Sequence, residues 1–204
     1  MNTKKTKILK INPEKPEESI IKEAAQIIKN GGLVVFPTDT VYGLGANALL
    51  SGSVQRIYKI KKRSSNKPII LLLARKNDVK KLGVMISSSA KALMNKFWPG
   101  PLTLIFKTQE GTIGLRMPKN KIALELIKKA GIPVATTSAN ISGKKSVLTA
   151  SGAIRQLKGK VDLIIDAGKS KLGIESTIVN VTISPPKILR EGYISKKMIR
   201  KVFK

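Results

Sequence analysis

The sequence predicts an α/β fold in which helices flank a mixed β-sheet. Short apolar runs typical of buried strands alternate along the chain with longer segments whose apolar residues recur at helical spacing. Near the end of the chain, two short apolar runs lie on either side of a turn at residues 184–186, which indicates an antiparallel strand pair. Because 42% of the 204 residues are hydrophobic, we expect a single domain over residues 1–204.

The first helix and strand follow from residue spacing. Apolar residues between positions 16 and 30 recur every three to four residues, and Asn30-Gly31-Gly32 supplies a stop signal. A helix is therefore expected there. Residues 33–36 predict a short buried strand, which Pro37 and a polar turn close.

The same criteria assign the rest of the chain. Further helices are expected at residues 53–62, 78–82, 87–97, 122–130 and 150–157. Further strands are expected at residues 69–73, 102–106, 113–117, 134–137, 161–165, 177–181 and 187–190. The two tails, residues 1–10 and 196–204, are basic and are expected to be ordered in part at most.

The sequence contains no cysteine and no histidine, which excludes several classes of chemistry. Disulfides, thiolate nucleophiles and cysteine-based zinc sites are excluded, as are Ser-His-Asp hydrolysis and HExxH metalloprotease chemistry. Any catalysis must use the remaining polar side chains, backbone amides or a metal that arrives with the substrate. We expect no metal site built by the protein alone.

The charge of the chain predicts anionic partners. Lys and Arg number 39 against 12 Asp and Glu, a formal net charge of +27, which attracts nucleotides and nucleic acids. A lysine-rich composition that merely covers helix faces is the alternative explanation. Residues 1–19 are polar and no apolar run approaches the roughly 18 residues of a membrane span, so we expect a soluble, cytoplasmic protein.

Polar clusters follow three of the predicted strands. They are Thr38-Asp39-Thr40, Arg116 and Ser138-Ala139-Asn140. Each alone could be a hydrogen-bonded turn. Because open α/β sheets place ligands at strand ends, three such clusters together predict a binding site.

Cationic residues elsewhere suggest a phosphate site. Lys61-Lys62-Arg63 lies at a predicted helix end, where it could complement the helix dipole or bind phosphate. Arg190 and the Ser- and Gly-rich loop at residues 138–146 could add further contacts to an anion. Neither a Walker A nor a GxGxxG pattern is present.

Six segments together carry a family resemblance over residues 17–195, which would form the core between the basic tails. They are PTDTVYGL at 37–44, KKR at 61–63, PGPLT at 99–103, GLRMP at 114–118, TSANISG at 137–143 and GIESTIV at 173–179. In this order they closely resemble the YrdC/TsaC family of threonylcarbamoyl-AMP synthases.

The resemblance implies a fold and an activity. The fold is a twisted mixed sheet with flanking helices around a deep basic cavity. The activity is synthesis of L-threonylcarbamoyl-adenylate from ATP, L-threonine and bicarbonate, with release of pyrophosphate. A tRNA-modifying transferase complex then uses this product to form threonylcarbamoyladenosine in tRNA. Mg²⁺ is expected to arrive with the ATP, because the sequence offers few clustered acids; Asp162 and Asp166 are expected to be turn and edge residues.

The resemblance also assigns residues by their place in the motifs. The L-threonine site would comprise Thr40, Arg116, Thr136 and Ser176, with Arg116 forking onto the carboxylate. The ATP site would comprise Lys61, Arg63, Ser138, Asn140, Ser146 and Arg190, with Ser65 as a weaker candidate. No residue is assigned a catalytic role, since adenylation can proceed by positioning and charge neutralisation.

This sequence departs from the family at two positions. Ser64 stands where many members have Pro, and Leu72 stands where many have a threonine-contacting His. Longer members carry an additional C-terminal domain that this sequence is too short to contain, so the short, single-domain type is expected.

Two alternatives remain at this stage. A tRNA or double-stranded RNA binding module would use the same positive charge, although the 4% aromatic content offers few stacking platforms. A carbamoyl-adenylate transferase like the YrdC-like domain of hydrogenase maturation proteins is the other, but that domain normally accompanies Cys-rich zinc segments.

Overall fold

The centre of the fold is a mixed sheet of ten strands. The computed structural model describes residues 5–203. Its strands are β1 (Lys7–Lys10), β2 (Val34–Phe36), β3 (Gly43–Asn47), β4 (Ile70–Leu72), β5 (Leu102–Thr108), β6 (Gly111–Arg116), β7 (Val134–Ser138), β8 (Leu163–Asp166), β9 (Thr177–Asn180) and β10 (Lys187–Arg190). Their spatial order is β1-β8-β2-β3-β7-β4-β6-β5-β9-β10.

Both kinds of strand pairing occur in this sheet. Parallel pairs join β1 to β8, β2 to β8, β4 to β6 and β5 to β9. Antiparallel pairs join β2 to β3, β3 to β7, β4 to β7, β5 to β6 and β9 to β10. The predicted mixed α/β sheet, including the antiparallel pair around residues 184–186, is therefore confirmed.

Within the part of the chain that the structure describes, six α-helices and one 3₁₀ helix cover the sheet. They are α1 (Glu18–Lys29), α2 (Ser51–Lys61), α3 (Ser88–Phe97), α4 (Lys121–Ala130), α5 (Ala150–Leu157), α6 (Lys196–Arg200) and the 3₁₀ helix Lys76–Leu82. In the described range 5–203, none of the helices is both long enough and apolar enough to cross a membrane.

Alternation along the strands divides the core between the two faces of the sheet. Val34 and Phe36 pack with α1 and α4 on one face, whereas Val35 packs with α2 and α5 on the other. Helix α1 buries Ile21, Ala24, Ala25 and Ile28, which share one face at helical spacing. A third cluster packs α3 and α6 against β5, β6 and β9.

Strand β3 was missed by the sequence analysis, which assigned residues 37–44 to a turn and motif. Its sequence, GLGAN, lacks β-branched residues, yet all five residues are buried. A Cβ atom on Gly45 would lie 2.6 Å from Cε1 of Phe36, so glycine lets the Phe36 ring pack against the strand. Pairing with β2 and β7, and not local propensity, makes this segment a strand.

The tails contain structure that the sequence did not predict. Lys7–Lys10 forms β1 because it pairs in parallel with β8. Lys196–Arg200 forms α6, in which the Ser195 hydroxyl accepts a hydrogen bond from the Met198 amide and Ile199 is buried. Residues 1–4 and 204 lie outside the described range.

Candidate active site

A polar cavity of about 310 Å³ opens at the ends of the central strands. Six Lys or Arg residues line it, so it is basic, as expected. Nine of the eleven predicted site residues lie in its wall: Thr40, Lys61, Arg63, Arg116, Thr136, Ser138, Asn140, Ser176 and Arg190. Its size lies at the lower end of ordinary ligand pockets, roughly 300 to 1,000 Å³.

Strand register explains why residues distant in sequence meet here. Strands β3 and β7 pair Gly43 with Ser138, and strands β4 and β6 pair Leu72 with Arg116. Strands β4 and β7 pair Ile70 with Thr136 between them. The polar clusters that follow separate strands in sequence are consequently neighbours across the sheet.

Two predicted residues do not line the cavity. Ser65 is exposed in the turn that follows α2, and nothing brings its hydroxyl to the wall. Ser146 lies one contact away, since its Oγ donates to Oε1 of Glu175 at 2.5 Å, and Glu175 does line the cavity.

Arg116 is the most constrained cation of the site. Its Nη2 donates to Oδ1 of Asp39 at 2.5 Å, its Nη1 to Oγ1 of Thr40 at 2.9 Å and its Nε to the Gly100 carbonyl at 3.1 Å. Burial lowers the pKa of Arg116, and the Asp39 carboxylate opposes that change. A guanidinium has five N–H donors, so two remain to bind a carboxylate.

Asp39 supports Arg116 from behind the cavity wall. Both side chains are only 6% exposed, so this is a buried ion pair in which each charge needs the other. Asp39 itself does not line the cavity. Its Oδ2 is buried and has no hydrogen-bond partner among the described residues, so the pair keeps one unused acceptor.

Lys61 is a second buried cation in the cavity wall. It lies in the last turn of α2, and the helix ends there because Lys62 adopts a left-handed conformation, with φ 50°. Its Nζ donates to the carbonyls of Ser138 and Asn140. Burial, and to a lesser degree the charge of Arg63, lowers the pKa of Lys61 to about 8, while Glu175 opposes the shift. An ammonium has three donors, so one remains.

The loop after β7 lines the cavity with polar residues. Nδ2 of Asn140 donates to the carbonyls of Ile141 at 3.0 Å and Lys144 at 2.6 Å, which fixes the orientation of the amide. Among the described residues, Oδ1 of Asn140 and Oγ of Ser142 are buried and have no hydrogen-bond partner. Oδ1 can only accept, so it suits a metal ion or a donor group better than a phosphate oxygen.

The wall that carries Ser176 contains two residues, Thr103 and Glu175, to which the sequence analysis gave no role. Thr103 and Ser176 place their hydroxyl oxygens 2.9 Å apart, and both line the cavity. Glu175 accepts from Nη1 of Arg190 at 2.5 Å, and Arg190 also donates to the Ser176 carbonyl. Thr103 lies in the PGPLT segment and Glu175 in the GIESTIV segment, and this was the one feature of the sequence that could have identified them.

Gly192 allows the backbone after Arg190 to pack closely against the backbone of Glu175 and Ser176. A Cβ atom at this position would lie 2.2 Å from the Glu175 carbonyl oxygen and 2.6 Å from the carbonyl carbon of Ser176. Its amide donates to Oγ1 of Thr177 at 3.0 Å. Only glycine therefore lets the chain after Arg190 lie against the segment that carries Glu175 and Ser176.

The two departures from the family pattern have local explanations. Leu72 is 1% exposed and supplies an apolar part of the cavity wall. Ser64 forms its own turn, since its carbonyl accepts from the Lys67 amide and its hydroxyl from the Asn66 amide. Arg63 is held by the same turn, donating to the carbonyls of Lys67 and Pro68.

Acidic residues form no metal cluster in the described range. Across residues 5–203, no group of three acidic, His or Cys side chains could hold a metal ion. Asp162 accepts from the Leu33 amide at 2.9 Å and forms an ion pair with Arg56 at 3.0 Å. Asp166 accepts from the Gly168 amide. Both aspartates therefore hold turns and strand ends, as their positions in the sequence predicted.

Comparison with known proteins identifies the family. A family profile for Sua5, YciO and YrdC proteins, described as "Telomere recombination", matches residues 26–192. The chain belongs to the Sua5/YciO/YrdC family. The resemblance drawn from the six sequence segments is thereby confirmed.

Individual members of the Sua5/YciO/YrdC family are similar over most of this chain. The threonylcarbamoyl-AMP synthase of Pyrococcus abyssi is 42% identical over 199 residues, which cover 93% of this chain and 58% of the relative. A Methanocaldococcus jannaschii relative is 38% identical over 200 residues, covering 93% of this chain and 95% of the relative.

A solved structure of the family supports the fold. The crystal structure of Pyrococcus abyssi Sua5 complexed with L-threonine has a TM-score of 0.93 and 41% identity, covering 97% of this chain and 61% of that one. This chain therefore spans little more than half the length of the Pyrococcus relative. The likeness confirms the expected twisted mixed sheet with flanking helices.

Proposed function

We propose that this chain synthesises L-threonylcarbamoyl-adenylate from L-threonine, bicarbonate and ATP, with release of pyrophosphate. The observation that carries the proposal is the meeting, in one cavity, of the buried Arg116 guanidinium with three further cations, Lys61, Arg63 and Arg190, whose chemistry suits phosphate. The name of the Pyrococcus relative, which is 42% identical, supports the same reaction. The product would be the activated intermediate for threonylcarbamoyladenosine in tRNA.

The amino-acid end of the cavity is centred on Arg116. Its two remaining N–H donors would form a fork onto the carboxylate of L-threonine, and Asp39 and Gly100 hold the guanidinium in place for that contact. The hydroxyls of Thr40, Thr136 and Ser176 would surround the rest of the amino acid. The Sua5 crystal structure of Pyrococcus abyssi, which is complexed with L-threonine, supports L-threonine as a substrate.

The nucleotide end contains cations from helix α2, from the segment directly after it and from strand β10. Lys61, Arg63 and Arg190 line the cavity and would bind the phosphates of ATP, with Ser138 and Asn140 between them. Ser146 would join them once its hydroxyl is released from Glu175. Ser65 is exposed and outside the wall, so it is the weakest member of the proposed ATP site.

The residues present fit a Mg²⁺ ion that arrives with ATP. The buried Oδ1 of Asn140 has no hydrogen-bond partner among the described residues, and amide oxygens are ordinary Mg²⁺ ligands. Since few acids line the cavity, most ligands would come from the phosphates and water. Mg²⁺ would neutralise charge on the polyphosphate, and Asn140 would hold it.

The proposed chemistry requires positioning and not a protein nucleophile. An oxygen of the carbamate in N-carboxy-L-threonine, which forms from bicarbonate and the threonine amine with loss of water, forms a bond to the α-phosphorus. The bond from that phosphorus to the bridging oxygen breaks, and pyrophosphate leaves. Arg116 would hold the α-carboxylate of threonine and so position the carbamate for attack, while Lys61, Arg63 and Arg190 neutralise charge on the leaving group.

The RNA-binding alternative has less support. The predicted residues converge in a cavity at strand ends and not on an open face. Single-strand and duplex RNA both need an extended cationic surface, which a cavity of about 310 Å³ does not provide. We infer instead that a tRNA-modifying transferase complex receives the adenylate, and that direct contact with tRNA is secondary. ATP and tRNA are both abundant in the cytoplasm, so we place the reaction there.

The decisive experiment measures product formation by the purified chain. With ATP, Mg²⁺, L-threonine and bicarbonate, we expect release of pyrophosphate that depends on threonine, and an adenylate of the expected mass by mass spectrometry. Reactions that contain L-serine, or that lack bicarbonate, are the controls. Equal release with serine, or RNA binding that is steep in salt without ATP consumption, would reject the proposal.

A further inference from the structure

Glu175 is the only carboxylate among the described residues of the cavity wall. Burial lowers the pKa of Lys61 and of Arg63, and the Glu175 charge opposes the change in each. Glu175 also contacts Arg190 directly, at 2.5 Å from Oε2 to Nη1. A single negative charge therefore faces the three cations that the proposed function assigns to phosphate.

The position of Arg190 does not depend on Glu175. Nε and Nη2 of Arg190 donate to the Ser176 carbonyl at 3.2 and 2.8 Å, and Nη2 lies 3.3 Å from Oγ of Ser176. The Arg190 and Glu175 side chains are 42% and 37% exposed, and ion pairs of that exposure contribute little to stability. Glu175 consequently supplies charge more than it supplies structure.

The donors that Glu175 uses are those that a phosphate group would use. Oε1 accepts from Oγ of Ser146 and Oε2 accepts from Arg190, which lie on the loop before α5 and on the edge strand β10. Hydroxyl and guanidinium donors bind carboxylate and phosphate oxygens with the same geometry. Two of the residues assigned to ATP are thus already bound to an anion from the chain itself.

We propose that Glu175 is an internal anion that occupies a phosphate position at Ser146 and Arg190 and competes with the polyphosphate for it. The inference rests on the proposed function and goes beyond it, because it assigns a role in release of the product. A polyphosphate must displace the carboxylate to reach both donors. When pyrophosphate departs, the Glu175 carboxylate again accepts hydrogen bonds from Ser146 and Arg190, which favours release of pyrophosphate and limits product inhibition.

The expected effect follows from the charge. One carboxylate about 5 Å from a phosphate group, in a mostly solvated site, weakens binding by about three- to tenfold. Because the Debye length is about 10 Å at 0.1 M salt, the effect must shrink as salt is added. A structural role would not show that salt dependence.

The experiment compares Glu175→Gln with the unchanged protein by calorimetric titration with inorganic pyrophosphate and with ATP, at low and high salt. Glutamine is isosteric, and its amide can serve both contacts because the Ser146 hydroxyl can accept as well as donate. Glu110→Gln is the matched control, since it removes the same charge from an exposed turn between β5 and β6.

We expect Glu175→Gln to bind pyrophosphate about three- to tenfold more tightly at low salt, and the gain to decrease at high salt. Glu110→Gln should leave the affinity unchanged. Weaker or unchanged binding by Glu175→Gln, while the unchanged protein binds both anions, would overturn the role of Glu175 alone. Absence of binding to the unchanged protein would overturn the proposed function and this inference together.

Discussion

Arg116 offers the sharpest test of the site, because its roles in stability and in binding can be separated. In Arg116→Ala, Asp39 remains at 6% exposure without its counter-ion. Removing one partner of a buried ion pair costs about 3 to 5 kcal/mol of unfolding free energy. The same change removes a charge-assisted contact to the threonine carboxylate, about 1.5 to 3 kcal/mol, or roughly 10- to 150-fold in affinity.

The double variant Asp39→Asn with Arg116→Ala separates the two effects. It removes the unpaired buried charge, so most of the lost stability should return, leaving a deficit on the order of 1 to 2 kcal/mol. Affinity for threonine should not return, because the guanidinium is still missing. The half-saturating ATP concentration should change little in either variant.

The assays are urea denaturation for stability and threonine-dependent pyrophosphate release for binding. Recovery of threonine affinity in the double variant would refute the contact between Arg116 and the carboxylate. A single variant as stable as the unchanged protein would refute the interdependence of the buried pair. A larger change for ATP than for threonine would place Arg116 at the wrong end of the cavity.

Three further predictions concern other walls of the cavity. In the folded chain the pKa of Lys61 is about 8, against an ordinary value of 10.5. Between these pH values the folded chain binds fewer protons than the unfolded chain, so the unfolding free energy should rise with pH across this range. Urea denaturation of Lys61→Met at a series of pH values should lack this rise, and parallel pH profiles of stability for the two proteins would contradict the shift. In the unchanged protein, the affinity for ATP should fall as pH rises through about 8. Thr103→Val removes the hydroxyl 2.9 Å from that of Ser176 and should raise the half-saturating threonine concentration by about fivefold without affecting ATP; an equal effect on ATP would argue against it. Gly192→Ala should lower the unfolding free energy by about 2 kcal/mol or more, because its Cβ would lie 2.2 Å from a carbonyl oxygen. The control Gly52→Ala, which has open space around it, should be neutral or slightly stabilising. Similar urea denaturation midpoints for the two variants would refute the contact.

Periodicity explains why most of the fold could be predicted. Helix α1 repeats its apolar residues every three to four positions, and strands such as Val34–Phe36 are apolar throughout, so local sequence specifies both. Strand β3 could not be found this way, because Gly43 and Gly45 carry no strand signal and their conformation depends on partners in β2 and β7. Strand β1 depends in the same way on β8, more than 150 residues later.

The sequence predicted most of the residues of the site, but not the contacts that orient them. Polar clusters after strands identified Thr40, Arg116 and Ser138, because strand ends meet at one edge of a sheet. The partners that orient them are set by tertiary contacts and leave no local pattern. Nothing in the sequence indicated that Asp39 would hold Arg116. Ser65, the weaker candidate that the resemblance supplied, lies outside the wall.

The order of strands in the sheet has a consequence for how the chain is made. β8 lies between β1 and β2, yet it is synthesised about 125 residues after β2. As the chain leaves the ribosome, the backbone edges of β1 and β2 that pair with β8 must therefore stay unpaired until residues 163–166 emerge. Pairings this distant in sequence fold slowly, so we expect closure of this half of the sheet to limit folding and to create the interval in which chaperones are most needed.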